Sequence, residues 1–180
     1  LELSFIPIHP GDILSYGGYH FEVKLLKGHT FGQCGLYEPE KKLMFVGDQL
    51  MTTLVPIVGT QETDLGMLKC YLDSLGDLKH NYKDCYFLPC HYGEIRNVEK
   101  EVNRIILGYL EKCEIMKHDL EEAGTALTTR DIGVRTYGRS QGPPDYAHFA
   151  SCTYIWAKTF SGMEYMMGEG FVERSERDGI

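Results

Sequence analysis

The chain has 180 residues, of which 43% are apolar and 24% are charged, and its formal net charge is −8. This composition is that of a globular protein with a sizeable core, so it excludes collagen-like, low-complexity and wholly disordered chains. An acidic chain has no overall field that attracts nucleic acid or anionic lipid. Both of those functions are therefore disfavoured, although a local basic patch is not excluded.

The six cysteines are scattered and form no Cys-x-x-Cys pair, so neither a zinc knuckle nor a dithiol redox motif is predicted. Thiols without paired spacing are typical of a reducing compartment, and we expect a cytoplasmic protein. No run of about 18 apolar residues occurs, so no membrane span is predicted. The sequence begins with Leu1 and not with an initiator Met, which leads us to expect part of a longer gene product.

The first half of the chain is predicted to form strands joined by tight turns. Apolar and polar residues alternate in the run that ends at Leu25, and the Gly17-Gly18 pair before it is typical of a hairpin turn. Another turn cluster begins at Glu38 and separates two short apolar runs. The expected strands lie at residues 19–25, 35–37, 42–46 and 85–88.

Helices are predicted for the middle and the tail, because apolar residues recur there at intervals of three and four. The expected helices start near Met67 with Thr63 as N-cap, run over 98–120, continue from a Thr128/Asp131 capping box to Tyr137, and run over 146–167. A strand is expected at residues 171–174, followed by a hairpin turn at Asp178-Gly179.

Three polar residues share one sequence context. His29, Asp48 and His91 each follow a predicted strand and have a glycine beside or near them. Ligands and catalytic groups of α/β proteins gather where strands end, and both His and Asp are zinc ligands. The residues are 19 and 43 positions apart, which is too far for a local metal motif. Residue type alone therefore does not distinguish a metal site from three ordinary turns.

The order of these elements resembles the second half of the metallo-β-lactamase-fold hydrolases. The resemblance covers residues 5–120 and rests on GDILSYGGYHFEVKLLKGHTFGQCGLYEPEKKLMFVGDQL, then a helix, then FLPCHYG. It implies one layer, or half, of an αββα sandwich of the α/β (α+β) class. It also implies that His29 ligates one zinc ion, that Asp48 bridges two, and that His91 ligates the second.

By the same resemblance, the parent protein would hydrolyse an ester, thioester, amide or phosphodiester with a hydroxide that bridges the two metals. Asp48 would be the catalytic residue that orients this hydroxide. The family's His-x-His-x-Asp-His motif, which supplies four further ligands, is not in this sequence. We therefore expect this chain to be inactive alone. The alternative is a non-catalytic binding or assembly module with vestigial ligands.

Two residues depart from the family's pattern without changing a ligand. Lys27 stands where the family usually has Pro, and Cys90 stands where it usually has Gly. The Cys90 thiol is a soft donor next to His91 and could join a metal site, but the simpler interpretation is a small buried filler.

The tail resembles the small winged-helix module of one branch of the superfamily, which includes relatives of β-lactamase-like protein 2. We expect residues 1–119 to form the metallo-β-lactamase-like part and residues 120–180 to form this module, truncated in its wing. The tail carries six basic against nine acidic residues. We therefore interpret it as a cap over the active-site edge or an oligomer contact, in preference to a nucleic-acid-binding module.

A homo-oligomer is also expected. If the chain supplies one sheet of a two-sheet sandwich, one face of that sheet is left bare, and bare apolar patches are rarely tolerated on monomers. Self-association through a two-fold axis is the commonest way for identical chains to cover such a face. The residues assigned to it are Phe21, Val23, Leu25, Leu36, Phe45 and Phe87.

Overall fold

The computed structural model describes residues 4–59, 66–138 and 146–175, and the described chain is a mixed α/β structure with one five-stranded sheet and four helices. The strands are β1 (Ile13–Tyr16), β2 (Tyr19–Leu25), β3 (Cys34–Glu38), β4 (Leu43–Gly47) and β5 (Tyr86–Pro89). The helices are α1 (Met67–Asn81), α2 (Val98–Ala123), α3 (Thr129–Tyr137) and α4 (Tyr146–Gly168). The expected α/β class is confirmed.

The sheet follows the chain in the order β1-β2-β3-β4-β5. The first four strands are antiparallel neighbours, and a Gly17-Gly18 turn joins β1 to β2 because both glycines adopt positive φ. β5 pairs with β4 in parallel, and the chain between them contains α1, as a parallel crossover requires. Strands β2, β4 and β5 consequently point the same way and end at the same edge of the sheet.

One face of the sheet packs against the helices. Met44, Val46 and Phe87 have no exposed surface and belong to one core cluster with residues of α1 and α2, such as Leu68 and Ile105. The register places Met44 beside Phe87, so both point to this face. The assignment of Phe87 to the bare face was therefore wrong, because neighbouring strands share side-chain directions and Phe87 follows Met44 into the helix layer.

The opposite face carries a second set of apolar side chains. Val23 pairs with Leu36, and Leu36 pairs with Phe45, so these three residues share a face with Phe21 and Leu25. None of the five belongs to the main core cluster. We call this surface the open face; it is defined by Phe21, Val23, Leu25, Leu36 and Phe45, of which Leu25 and Phe45 are exposed, Phe21 and Leu36 are half-buried and Val23 is buried by its neighbours.

Capping residues set both ends of α2 and the start of α3. The Asn97 side chain accepts a hydrogen bond from the Lys100 amide at the start of α2, and Gly124 ends that helix in the left-handed conformation. Thr128 and Asp131 form the expected capping box of α3. The Thr128 hydroxyl and amide both donate to the Asp131 carboxylate, and these two hydrogen bonds hold the pKa of Asp131 below its ordinary value. The N-cap of α1 is Gly66, in the left-handed conformation and without a side-chain cap, so the N-cap expected at Thr63 is wrong; Thr63 itself lies outside the described residues.

The helical tail packs onto the same core as the sheet. Ile132 of α3 and Met166 of α4 are buried in the core cluster, and α2 runs without interruption through the expected boundary at 119/120. Residues 171–175 form bends and irregular chain, so the strand expected at 171–174 is wrong. The Phe171 amide instead donates to the Met166 carbonyl and closes the end of α4. The Asp178-Gly179 turn lies outside the described residues.

No helix within the described ranges is both long enough and apolar enough to cross a bilayer.

Candidate metal centre

Three loops at one edge of the sheet bring His29, Asp48 and His91 together. His29 lies in the loop after β2, Asp48 follows β4 directly, and His91 lies two residues after β5. These three strands are parallel to one another, so their carboxyl ends meet at that edge. The structure thus places all three predicted site residues side by side, although the gaps between them are 19 and 43 residues.

The Asp48 carboxylate lies between the two imidazoles. Its Oδ2 is 3.5 Å from His29 Nε2, and its Oδ1 is 3.5 Å from His91 Nε2. Each histidine therefore faces a different carboxylate oxygen. Asp48 Oδ1 is buried and accepts no hydrogen bond from any residue that the structure describes. A buried acceptor without a donor is costly, so this oxygen is suited to a cation.

A hydrogen bond to the backbone fixes the orientation of the His29 ring. Its Nδ1 is 2.8 Å from the Ile57 carbonyl oxygen, and because a carbonyl can only accept, Nδ1 carries the hydrogen. In the neutral ring Nε2 then has a free lone pair, which points at a carboxylate oxygen. Two facing acceptors repel each other unless a cation lies between them. Histidines that ligate metals typically donate one ring N–H to an acceptor such as a backbone carbonyl and use the other ring nitrogen as the ligand.

Residues beneath the site hold the His29 and Asp48 loops in register. The buried Tyr71 hydroxyl donates to the Gln49 carbonyl, and the Gln49 side-chain amide donates to the Lys27 carbonyl at 3.1 Å. Burial raises the pKa of Tyr71 well above its ordinary value, so its hydroxyl remains a donor. Gly28 lies against Tyr71 with a φ of 142°, and a Cβ there would collide with the ring. His29 can therefore approach Asp48 only because residue 28 has no side chain.

A cleft of about 280 Å³ opens beside the three polar residues. The remainder of its lining is mostly apolar and comprises Met51, Leu54, Val55, Pro56, Ile57, Tyr92 and Tyr154. Tyr154 belongs to α4, so the helical tail contributes directly to the wall of the cleft.

The loop of residues 51–57, which forms most of this wall, is held by three side chains from the helices. Arg104 donates to the Met51 carbonyl, Tyr109 donates to the Pro56 carbonyl, and Tyr154 donates to the Val55 carbonyl, each at 2.6 Å. Burial raises the pKa of Tyr109, as it does that of Tyr154, so both hydroxyls keep their hydrogens. The loop is thus anchored through its backbone, and its side chains are left to line the cleft.

A partly buried lysine lies behind this wall. Lys158 Nζ is 4.3 Å from the centre of the Tyr154 ring and 5.6 Å from that of Tyr109. Burial, followed by the positive charge of Lys112, lowers the pKa of Lys158 to about 8. Within the described parts of the chain Lys158 has no ion-pair partner, so the tyrosine rings are its main electrostatic support.

Several site features were not foreseen from the sequence. Tyr92 has a φ of 67° and lies on the lip of the cleft, a conformation that is strained for a residue with a side chain. Its position next to His91 was the only available signal. No sequence pattern indicated that Tyr154 lines the cleft, because Tyr154 lies about 63 residues beyond His91 along the chain. Cys90 is exposed and does not line the cleft, so its interpretation as a buried filler was wrong.

A second group of potential ligands occurs on α2, where His118, Asp119 and Glu122 approach one another. His118 and Glu122 are exposed, and Asp119 already accepts a hydrogen bond from the Thr136 hydroxyl. The spacing of these residues follows from one helical turn, and such surface clusters commonly carry no metal.

Comparisons with known proteins identify the fold. No family model matches the chain. A metallo-beta-lactamase family protein of Thermus thermophilus superposes with a TM-score of 0.80 at 22% identity, covering 97% of this chain and 52% of that protein. A beta-lactamase domain protein of Burkholderia ambifaria gives 0.82 at 18% identity, covering 99% and 51%.

A short sequence match adds to these superpositions. Hydroxyacylglutathione hydrolase GloC of Haemophilus influenzae is 50% identical over 40 residues, which is 22% of this chain and 19% of that enzyme. The chain spans about half the length of the two solved structures that it matches. Because nearly the whole chain is superposed on each of them, the likeness includes the helices of the tail as well as the sheet. The chain therefore has the fold of metallo-β-lactamase proteins, with the cluster of His29, Asp48 and His91 at the end of its sheet.

Proposed function

We propose that this chain carries part of the metal centre of a zinc-dependent hydrolase of the metallo-β-lactamase superfamily. The observation that carries the proposal is the Asp48 carboxylate, which lies between two imidazoles and has one buried oxygen that accepts no hydrogen bond from the described residues. Imidazole nitrogen and carboxylate oxygen are donors that zinc accepts, so the residues present fit the metal. His29 and His91 would each hold one ion, and Asp48 would bridge the two.

When bound, zinc lowers the pKa of a water molecule to about 7 and acts as a Lewis acid toward a carbonyl or phosphoryl oxygen. The chain's own residues orient the reactants. Asp48 would accept a hydrogen bond from the attacking water, and the Ile57 carbonyl keeps the His29 ring in the tautomer with a free Nε2. The cleft next to these groups would bind the substrate and exclude bulk water.

Three donors do not complete two tetrahedral zinc sites. The sequence has no His-x-His-x-Asp-His motif to supply the remaining ligands. We therefore propose that the 180-residue chain binds metal incompletely and does not catalyse hydrolysis by itself.

A second candidate function is a non-catalytic assembly module. The open face favours it, because two of its apolar residues, Phe45 and Leu25, are each 40% exposed. In both cases we propose a homo-oligomer in which the open faces of two copies meet. We also propose that the tail is a cap and not a nucleic-acid module, since it supplies Tyr154 to the cleft.

The remaining proposals concern context. Five cysteines of the described chain are free thiols, which supports a reducing, cytoplasmic environment. The division into residues 1–119 and a winged-helix-like module at 120–180 also stays a proposal, now with α2 shared between the two parts.

The metal assignment is tested by titrating the purified chain with zinc against a chromophoric chelator. We expect fewer than two zinc ions per chain, and loss of the bound fraction in His29→Ala, His91→Ala and Asp48→Asn. The matched control is His80→Ala, which removes an exposed histidine of α1. Zinc binding that survives all three site substitutions would show that the ligands are elsewhere.

Activity is measured separately with ester, thioester and phosphodiester substrates. We expect no zinc-dependent turnover above that of His91→Ala. Turnover that requires zinc and is lost in His91→Ala would show that the chain is a complete enzyme, contrary to the proposal.

A further inference from the structure

The cleft beside the candidate metal centre has two chemically different sides. His29, Asp48 and His91 form the polar side, whereas apolar side chains such as Leu54 and Val55 form the other. Among the cleft-lining side chains that the structure describes there is no lysine and no arginine. We infer that the cleft binds an apolar acyl group of an ester or thioester. This inference rests on the proposed hydrolytic function and narrows its substrates to the two acyl classes, esters and thioesters.

Outside the candidate metal centre, the lining of the cleft offers little to the polyanionic backbone of a nucleic acid. Proteins neutralise the phosphate backbone with lysine and arginine, which provide most of the non-specific affinity. The described lining offers only two histidines as basic groups, and these face Asp48. The net charge of −8 adds a repulsive field for a polyanion. An uncharged acyl group needs no basic side chain for binding and is not repelled by the negative net charge.

The apolar wall is also preorganised. The carbonyls of Met51, Val55 and Pro56 are occupied by donors from α2 and α4, so these backbone groups do not need a polar partner in the cleft. A wall that is already ordered spends little free energy on rearrangement when an apolar group binds. Leu54 is 48% exposed, which leaves its side chain available to a ligand.

The volume of the cleft is sufficient for a small acyl group. At roughly 30 Å³ for each water-sized group, the cleft of about 280 Å³ accommodates about nine non-hydrogen atoms. A phenylacetyl or hexanoyl group is of this size. In the hydrolysis, the bond from the acyl carbon to sulfur or oxygen breaks, and a bond from that carbon to the oxygen of water forms. The leaving thiol or alcohol takes up a proton from the water.

The inference is tested by binding uncharged acyl mimics to the whole chain without added metal. Acetamide, butanamide and hexanamide are titrated by NMR, together with the dinucleotide UpU as a phosphodiester. We expect the dissociation constant to fall about two- to fourfold with each added methylene group, and UpU to bind more weakly than hexanamide. Equal affinity for all three amides, or tighter binding of UpU, would overturn the inference.

A pair of variants locates the binding. Leu54→Asp places a charge in the cleft wall and is expected to weaken hexanamide binding at least tenfold. Ile115→Asp introduces the same charge at a residue of α2 that is 42% exposed and does not line the cleft, and is expected to have no effect. Equal affinity in Leu54→Asp and the unmodified chain would place the amide elsewhere, for example on the open face, and would overturn the inference.

A third variant protects the test against misfolding of Leu54→Asp. Leu54→Phe retains an apolar wall but fills part of the cleft, so we expect hexanamide to lose more affinity than butanamide. Unchanged relative affinities for the two amides would contradict the inference. Its failure is distinguishable from failure of the proposed function, because these titrations contain no zinc and the zinc titrations contain no acyl group.

Discussion

The face of the sheet that carries Met44 and Phe87 lies under α1 and α2, whereas the open face has apolar side chains without a covering helix layer in the described chain. Strand β4 shows both environments in one segment, because Met44 is fully buried and the adjacent Phe45 is 40% exposed. A strand that is apolar at consecutive positions is typical of a sheet covered on both sides. The comparison indicates that the sequence of β4 is adapted to a second layer on the open face.

The largest effect should come from truncating the covered face. Phe87→Ala removes a fully buried ring from the core cluster, and we expect it to lower the free energy of unfolding by about 3 to 5 kcal/mol. Phe45→Ala on the open face should cost about 1 kcal/mol or less in the monomer, because its ring is partly hydrated already. Urea denaturation at low protein concentration measures both. Equal losses would mean that the two faces are equally covered.

Self-association should depend on the open face alone. We expect the unmodified chain to form a dimer or larger oligomer in light scattering on a size-exclusion column, and Phe45→Asp to weaken this association at least 100-fold because a charge would be buried at the contact. Leu107→Asp is the matched control, since Leu107 is 56% exposed on α2 behind the covered face. A monodisperse monomer at high concentration would show that the open face is stable in water.

A smaller effect is expected where the helical tail joins the cleft wall. Tyr154→Phe keeps the ring and removes only the hydrogen bond to the Val55 carbonyl. A hydrogen bond of this kind contributes about 1 kcal/mol, and the carbonyl left behind can be partly hydrated through the cleft. We expect a loss of that size in urea denaturation. An unchanged midpoint would show that Tyr154 does not stabilise the wall.

The last effect is confined to alkaline pH and concerns the charge of Lys158 behind that wall. The pKa of Lys158 is lowered to about 8 by burial, so the folded chain releases this proton at lower pH than the unfolded chain does. The unfolded state therefore binds more protons between about pH 8 and 10, and this group makes stability rise with pH in that window. Lys158→Met should remove the rise. The measurement compares the urea denaturation midpoints of the unmodified chain and of Lys158→Met at pH 7.5 and 9.5. The same change of midpoint with pH in both proteins would contradict the role of burial.

Most of the elements could be predicted from the sequence because their signals are local. The Gly17-Gly18 turn, the capping box at Thr128 and the helical periodicity of α2 each depend on a few neighbouring residues. The expected strand at 171–174 failed for the same reason. A β-branched and aromatic pair favours extended chain, but in the structure the Phe171 amide closes the end of α4 and finds no strand partner among the described residues.

The candidate site was predictable only in part. His29, Asp48 and His91 could be selected because each follows a strand, and the order of the strands brings them together. The cleft wall could not be selected, since Tyr154 acts through a contact with a residue 99 positions away. The direction of Phe87 was likewise set by the parallel register of β5 with β4, which no local pattern in the sequence encodes.

Helix α2 has a mechanical consequence for this molecule. At about 1.5 Å per residue, its 26 residues make a rod of about 39 Å. The rod carries Arg104 and Tyr109, which hold the cleft loop, and its far end packs against α3. Swinging the tail away from the sheet at residues 119 and 120 would require breaking hydrogen bonds inside the rod. The tail therefore cannot turn against the sheet at residues 119 and 120 without a break in α2, so this position is not a hinge that would widen the cleft.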